Sequence, residues 1–377
     1  MIEFSPGSQI AILITLLAIV GEFPYQSLYL LGNARKEKEL VNRLTEKQLI
    51  RNSVTSEKLT IKVLTVFGKK PDVTIRLRKG ALPLLDWIQA RKYYDSHYGS
   101  YPMSRSRSHV ERNHRVAETL AMLLRAGIEC RPWMLPALQL QMRSKRIGSP
   151  VAYPAKEIKR ISEGELNKTK YTRFTAAILS PESCLVVYNT RNAVMRWNGQ
   201  GEYKTRQDLM LVSRANAGHD RVDAALLFGH SYKVALNTIW AADESERFDS
   251  VYPHILFIPF GSFGVRQLAL LNVPSWQEKI LELAFEPETR SYNKGSFEYD
   301  AFVDGRYVFS FLDSDLARLI RFRSAAQDHR RQYTVLCYPE QLGFLRSCLP
   351  GQIEFKTIDL GILEEALGLD QKGVEDE

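Results

Sequence analysis

The stretch IAILITLLAIVGEFPYQSLYLLGNARKEKELVNRL, residues 10–44, sets the fold of the first part of the chain. From Ile10 to Val20 it is apolar apart from Thr15, and Gly21 supplies the left-handed turn that closes a helix. Pro24 to Leu31 predicts a second, short helix with proline in its first turn. Gly32 and Asn33 make the next turn, with Asn33 positioned to cap a third helix over Ala34 to Ile50. In that helix Leu40, Val41, Leu44 and Leu49 lie near one face, while Arg35, Lys36, Lys38, Arg43 and Lys47 lie largely on the other. A hairpin follows: Lys58 to Phe67 alternates apolar and polar residues, turns through Gly68, Lys69, Lys70 and Pro71, and returns through Val73, Ile75, Arg76 and Leu77. Three short helices and then a strand-turn-strand predict a winged helix-turn-helix over residues 1–80, with Lys69 and Lys70 at the wing tip.

The chain has 377 residues, 45% hydrophobic and 25% charged, an ordinary globular composition that excludes fibrous and disordered classes. Its formal charge of +8 is unevenly spread. Residues 1–170 hold 29 Lys and Arg against 15 Asp and Glu, a balance of +14; residues 171–377 hold 22 against 28, a balance of −6. Only the first half has the charge of a polyanion binder. The run Ile10–Val20 is shorter than the ~20 apolar residues that span a bilayer. Glu3, with no Lys or Arg, precedes it where a signal peptide carries positive charge. A buried helix and no membrane partner are therefore expected. Cys130, Cys184, Cys337 and Cys348 are scattered without a CxxC pair, as reduced core thiols in a cytoplasm would be.

Residues 81–138 predict a helical connector. Its helices run from Ala81 to Tyr94 and from about Ser108 to Ala126, the second entered by Arg105, Arg107, Arg112 and Arg115 and stopped by Gly127. Residues 139–170, rich in Lys, Arg, Ser, Gly and Pro, predict a basic linker or loop. From 171 to 370 short apolar runs alternate with helices, including strands at Phe174–Leu179, Cys184–Asn189, Ala193–Trp197, Asp223–Phe228 and His254–Pro259, and a hairpin turning at Asp304-Gly305. This predicts a mixed-sheet α/β domain, hence an α/β (α+β overall) chain, with a polar tail over 371–377.

Helix, three strands, helix, strand is the element order of the restriction-endonuclease-like core, in which carboxylates hold Mg²⁺ and a lysine assists the attacking water. Glu182, Glu202 and Lys204, with Gln207 beyond, form a formal match. The bland alternative is a turn leading into a helix with charged first residues. Asp300, Asp304, Asp313 and Asp315 read as turn chemistry and as a helix cap at Asp313 or Ser314. His109 and His114 are five apart and do not share a helix face as a metal-ligand pair would, and no metal site is expected there or with His97. The H-x-x-R of tyrosine recombinases is spelled at His109–Arg112, without the helical domain that would surround it. There is no G-x-x-x-x-G-K, G-x-G-x-x-G or His-x-His, which argues against an NTP-driven motor, a dinucleotide enzyme and a relaxase.

The chain resembles the replication-relaxation family of Gram-positive plasmids and integrative mobile elements. The likeness lies in the Ile10–Val20 helix, in the helix carrying His114, Val116, Leu120, Leu124, Ala126 and Gly127, and in the strings His254–Pro259 and Phe311–Asp315. The resemblance implies a DNA-binding accessory protein for replication or transfer of a mobile element, associated with plasmid or nucleoid and assembled with other DNA-processing proteins. On this expectation the partner is double-stranded DNA, a homodimer is compatible with it, and no cofactor is needed. Arg35, Lys36, Lys38, Arg43, Lys69, Lys70, Arg76, Arg105, Arg107, Arg112 and Arg115 are the candidate contacts. Two alternatives stand beside it: a Mg²⁺-dependent nuclease using Glu182, Glu202 and Lys204, and a protein-interaction module within a nucleoprotein complex.

Overall fold

A computed structural model of the chain describes residues 1–70, 72–99, 106–142, 146–161, 173–195, 200–243, 251–291, 298–327 and 331–369. The fold is mixed α/β with several small sheets. It divides into two compact units, one of Met1–Leu138 with Val151–Ile161, the other of Gln139–Pro150 with Ser162–Val374.

The first unit begins with strand β1 (Ile2–Phe4) and helix α1 (Gln9–Val20). Ser8 caps α1 through Ala11 N, and Gly21, at φ 86°, closes it by donating to Leu17 O at 2.9 Å. Ten of its twelve residues are buried, so the helix is core on nearly every side, as its uniform apolarity dictates. Strand β2 (Phe23–Pro24), a 3₁₀ turn (Tyr25–Leu30) and helix α2 (Ala34–Thr45) follow. Next come strands β3 (Gln48–Asn52), β4 (Lys58–Ile61), β5 (Leu64–Phe67) and β6 (Thr74–Leu77). Two three-stranded sheets result, in the orders β1-β3-β4 and β2-β6-β5.

Here the sequence expectation needs three corrections. The third helix ends at Thr45, because Leu49 and Ile50 belong to β3, which pairs in parallel with β1 (Ile2↔Ile50) and antiparallel with β4. The single strand expected over Lys58–Phe67 is two strands, broken at Lys62 and Val63, so the hairpin is β5–β6 alone. The expected second helix is a 3₁₀ turn.

Helices α3 (Pro83–Trp87), α4 (Arg91–Tyr98) and α5 (Arg107–Arg125) continue the unit. Strand β7 (Val151–Pro154) and helix α6 (Ala155–Ile161) complete it, inside the span expected as a linker. All four residues of β7 are buried and Ala152 N donates to Glu129 O at 2.8 Å, a pairing too short and too distant in sequence to read locally. Buried between these elements, Arg76 on β6 makes two bonds to Glu22 Oε2, at 3.0 Å from Nε and 2.7 Å from Nη2. Asn113 on α5 donates to the other carboxylate oxygen at 2.8 Å. The Phe67 ring covers the guanidinium at 4.4 Å.

The second unit carries strands β8 (Ala176–Leu179) and β9 (Cys184–Arg191), helix α7 (Gln200–Asn216), strand β10 (Ala224–Gly229), helix α8 (Tyr232–Asp243) and strand β11 (His254–Pro259). Its strands run in the order β11-β10-β9-β8, parallel except for the β8–β9 hairpin. Helices α9 (Ser262–Leu270) and α10 (Trp276–Ala284) lead to strands β12 (Ala301–Val303) and β13 (Arg306–Ser310), helix α11 (Leu316–Ala326) and strand β14 (Tyr333–Cys337). Helix α12 (Leu342–Cys348), strand β15 (Glu354–Thr357) and helix α13 (Leu360–Ala366) finish the chain's described part. The second sheet has the order β12-β13-β14-β15, and the β12–β13 hairpin turns at Asp304-Gly305 as expected. Ala193–Met195 form no strand, and α7 begins at Gln200, earlier than the Thr205 expected. The polar tail 371–377 lies outside the described residues.

Breaking one half of the Glu22–Arg76 pair strands a buried charge. Arg76→Met is expected to cost about 3–5 kcal/mol in urea denaturation. The double replacement Glu22→Met with Arg76→Met is expected to recover most of that loss.

Candidate nucleic-acid interface

Asn33 sets the orientation of α2: its Oδ1 accepts from Arg35 N at 3.1 Å and from Lys36 N at 3.2 Å. With the helix start fixed, the 3.6-residue period turns Glu37, Val41 and Leu44 into the core and leaves Arg35, Lys36, Lys38 and Arg43 exposed. Glu39 and Asn42 share that exposed surface, so it is mixed and net positive.

The β5–β6 hairpin presents Lys69 and Lys70, both exposed, after Gly68 at φ +96°. A side chain at Gly68 would place Cβ 2.7 Å from Asp72 O, so only glycine makes this turn. Asp72 N donates to Lys69 O at 2.8 Å and closes it. Pro71 lies outside the described residues.

The remaining candidates divide. Arg107 and Arg112 are exposed at the entrance of α5, with Arg107 3.6 Å from Asp72. Arg115 is half-buried and its Nη2 lies 2.6 Å from Glu111, which spends its charge within the helix. Arg105 lies outside the described residues. Arg76 is corrected outright: it is buried on Glu22 and reaches no surface ligand. His114 is also buried, its Nε2 3.1 Å from Thr74 Oγ1.

Glu37 is the one carboxylate on the inner face of α2. It is 2% exposed, and Oε2 has no hydrogen-bond partner among the described residues. Burial pushes its pKa up to about 7, against the opposing pull of Arg125. Its place at i, i+4, i+7 with Val41 and Leu44 puts it on the inner face, although a Glu in a charged helix otherwise reads as solvated.

The three residues expected to form a nuclease site do not converge. Glu182 sits in the exposed turn between β8 and β9 and accepts from Ser275 N at 3.2 Å. Glu202 is buried in the first turn of α7, its Oε1 accepting from Arg173 Nη2 at 3.1 Å. Lys204 is exposed two residues further along that helix. Residues two apart share a face on a strand but point ~200° apart on a helix, so the E-x-K spacing separates what it was expected to join. Gln207 is exposed as well. Among the described residues no three His, Cys, Asp or Glu side chains are grouped to hold a metal ion.

The late acidic residues form a network instead. Asp315, not Asp313 or Ser314, caps α11, accepting from Ala317 N at 3.0 Å and Arg318 N at 3.3 Å. Its second oxygen lies 2.7 Å from His254 Nδ1. Arg318 is 2.6 Å from both Asp300 and Asp313. Burial raises Asp313 to about 6 despite that guanidinium. Because Phe257 N donates to Ser314 O and Ile255 N to Asp315 Oδ1, this segment closes the open edge of β11. The string Phe311–Asp315, quoted above for the family resemblance, joins β11 to α11.

With this geometry in view, no family model, curated protein or solved structure matches the chain. No helix among the described residues is long and apolar enough to cross a membrane. The four cysteines are buried and free.

The raised pKa of Glu37 fixes the sign of a pH effect. A carboxyl whose folded pKa lies above its unfolded value contributes stability below about 4.5 and loses it as pH rises through about 7. Glu37→Gln is therefore expected to leave stability nearly unchanged at pH 4.5 and to raise it at pH 8 by on the order of 3 kcal/mol, read from paired urea melts.

Proposed function

We propose that this chain is a double-stranded DNA-binding protein, that residues 1–80 act as a winged helix-turn-helix, and that it has no catalysis of its own. The observation that carries the reading is the exposed set Arg35, Lys36, Lys38 and Arg43 on one capped helix, together with Lys69 and Lys70 on a hairpin tip of the same unit. In this reading α2 enters the major groove and the hairpin lies on the phosphate backbone.

The strand order β2-β6-β5 supports the winged-helix assignment. The short strand between the first two helical elements pairs with the return strand of the hairpin, as a wing requires to be fastened beside its helices. The inserted β3–β4 hairpin is a departure from the simplest form. The nuclease alternative loses its basis in the sequence, since Glu202 and Lys204 lie on opposite faces of α7. A role in replication or transfer of a mobile element, beside other DNA-processing proteins, rests on the resemblance to the replication-relaxation family alone.

Charge reversal at two positions tests the surface. The variant Arg35→Glu with Lys36→Glu is expected to keep the native circular dichroism and melting profile and to bind a 30-base-pair duplex at least about tenfold more weakly. Unchanged affinity in the folded variant would remove α2 from the interface and favour the protein-docking alternative.

A further inference from the structure

A cavity of about 360 Å³ opens in the first unit between α4, α6 and the segment Pro132–Leu138. That volume is at the lower end of the range for ligand sites, ~300–1,000 Å³. Tyr93, Tyr153, Pro132 and Pro136 line its less polar part, the Tyr93 ring packing on His97 at 4.1 Å and on Trp133 at 5.4 Å between centroids, and His97, Glu157 and Arg160 supply the polar end.

The polar end is already ordered without a ligand. Tyr93 OH donates to Glu157 Oε1 at 2.7 Å. Arg160 Nη1 lies 2.6 Å from His97 Nε2, and His97 Nδ1 lies 2.8 Å from Tyr93 O. A guanidinium only donates and a carbonyl only accepts, so in this pairing His97 Nε2 faces the Arg160 donor and Nδ1 faces the Tyr93 acceptor, with Glu157 Oε1 3.4 Å from Nε2. His97 therefore takes one N–H of Arg160 and holds the side chain in place. The exposed guanidinium has further N–H groups in its planar fork, a shape that matches a carboxylate. The one carboxylate in the lining, Glu157, is engaged by Tyr93 OH and lies 3.4 Å from His97 Nε2. Lys156 Nζ, 5.0 Å from the Tyr93 ring centroid and hydrogen-bonded to Tyr98 OH at 3.0 Å, lies beside that carboxylate, with burial pulling the Lys156 pKa down to about 7.

We propose that this cavity binds a small planar aromatic carboxylate, with Arg160 taking the carboxylate and the tyrosine and proline faces enclosing the ring. The site is independent of the DNA-binding reading.

Calorimetric titration of the full chain with 2-naphthoate, 2-naphthamide and 2-naphthylmethylamine tests it. The naphthoate is expected to bind saturably at one site with a Kd of roughly 1 mM or tighter. The amide and the amine are expected to bind at least about tenfold more weakly. Arg160→Gln should bring the naphthoate down to the level of the amide without changing the melting temperature, and Ala137→Phe, which fills the cavity from an exposed position, should abolish binding of all three. Equal binding of the three probes, a preference for the amine, no saturable binding of naphthoate, or an Arg160→Gln chain that binds as before would each overturn the proposal.

Discussion

The buried ion pair between Glu22 and Arg76 holds the first unit together at the point where its helices meet its hairpin. Glu22 follows the glycine that ends α1, Arg76 lies on the return strand β6, and Asn113 adds α5 to the same carboxylate. Taking two charges out of water costs several kcal/mol each, and the two Arg76 bonds to Oε2 with the Asn113 bond to Oε1 offset that cost only while every partner is present. The arrangement ties the return strand of the hairpin to the residue after α1 and to α5. The exposed Lys69 and Lys70 inherit their position from a charge pair that never reaches solvent.

In the first unit the cations of α2 and the hairpin tip are exposed, with Glu39 among them, while Glu22 is buried on Arg76, Glu37 is buried and Glu111 is paired with Arg115. In the second, opposite charges are drawn inward: Arg318 with Asp300 and Asp313, Arg266 with Glu364, and His254 with Asp315. Such interior networks specify how helices sit on strands, and surface pairs contribute little. An outward cationic face suits a polyanion, whose condensed counterions are released on contact.

Local signals in the sequence were legible where one helix or one turn decided the matter. The apolar run to Val20, the Gly21 stop, the Asn33 cap and the Asp304-Gly305 turn all stand where their chemistry put them. Structure that depends on distant pairing was not legible. Leu49 and Ile50 continue a helical face on paper, yet β1 and β4 recruit them into a sheet. Val151–Pro154 is too short to announce a strand, and only its burial makes it one. For the site, the exposed cations of α2 followed from periodicity. Arg76 could not be told from them, because its partner Glu22 is 54 residues away. The E-x-K motif failed for a similar reason, since its meaning depends on whether the backbone beneath it is strand or helix.

The most direct test of the central claim is the salt dependence of duplex DNA binding. Six exposed cations on α2 and the hairpin tip, if all meet phosphates, release counterions so that log affinity falls against log salt concentration with a slope of about −5. A measured slope near that value between 50 and 200 mM salt, roughly the range over which the effect is large, is the predicted result. An affinity that does not change with salt would contradict the account.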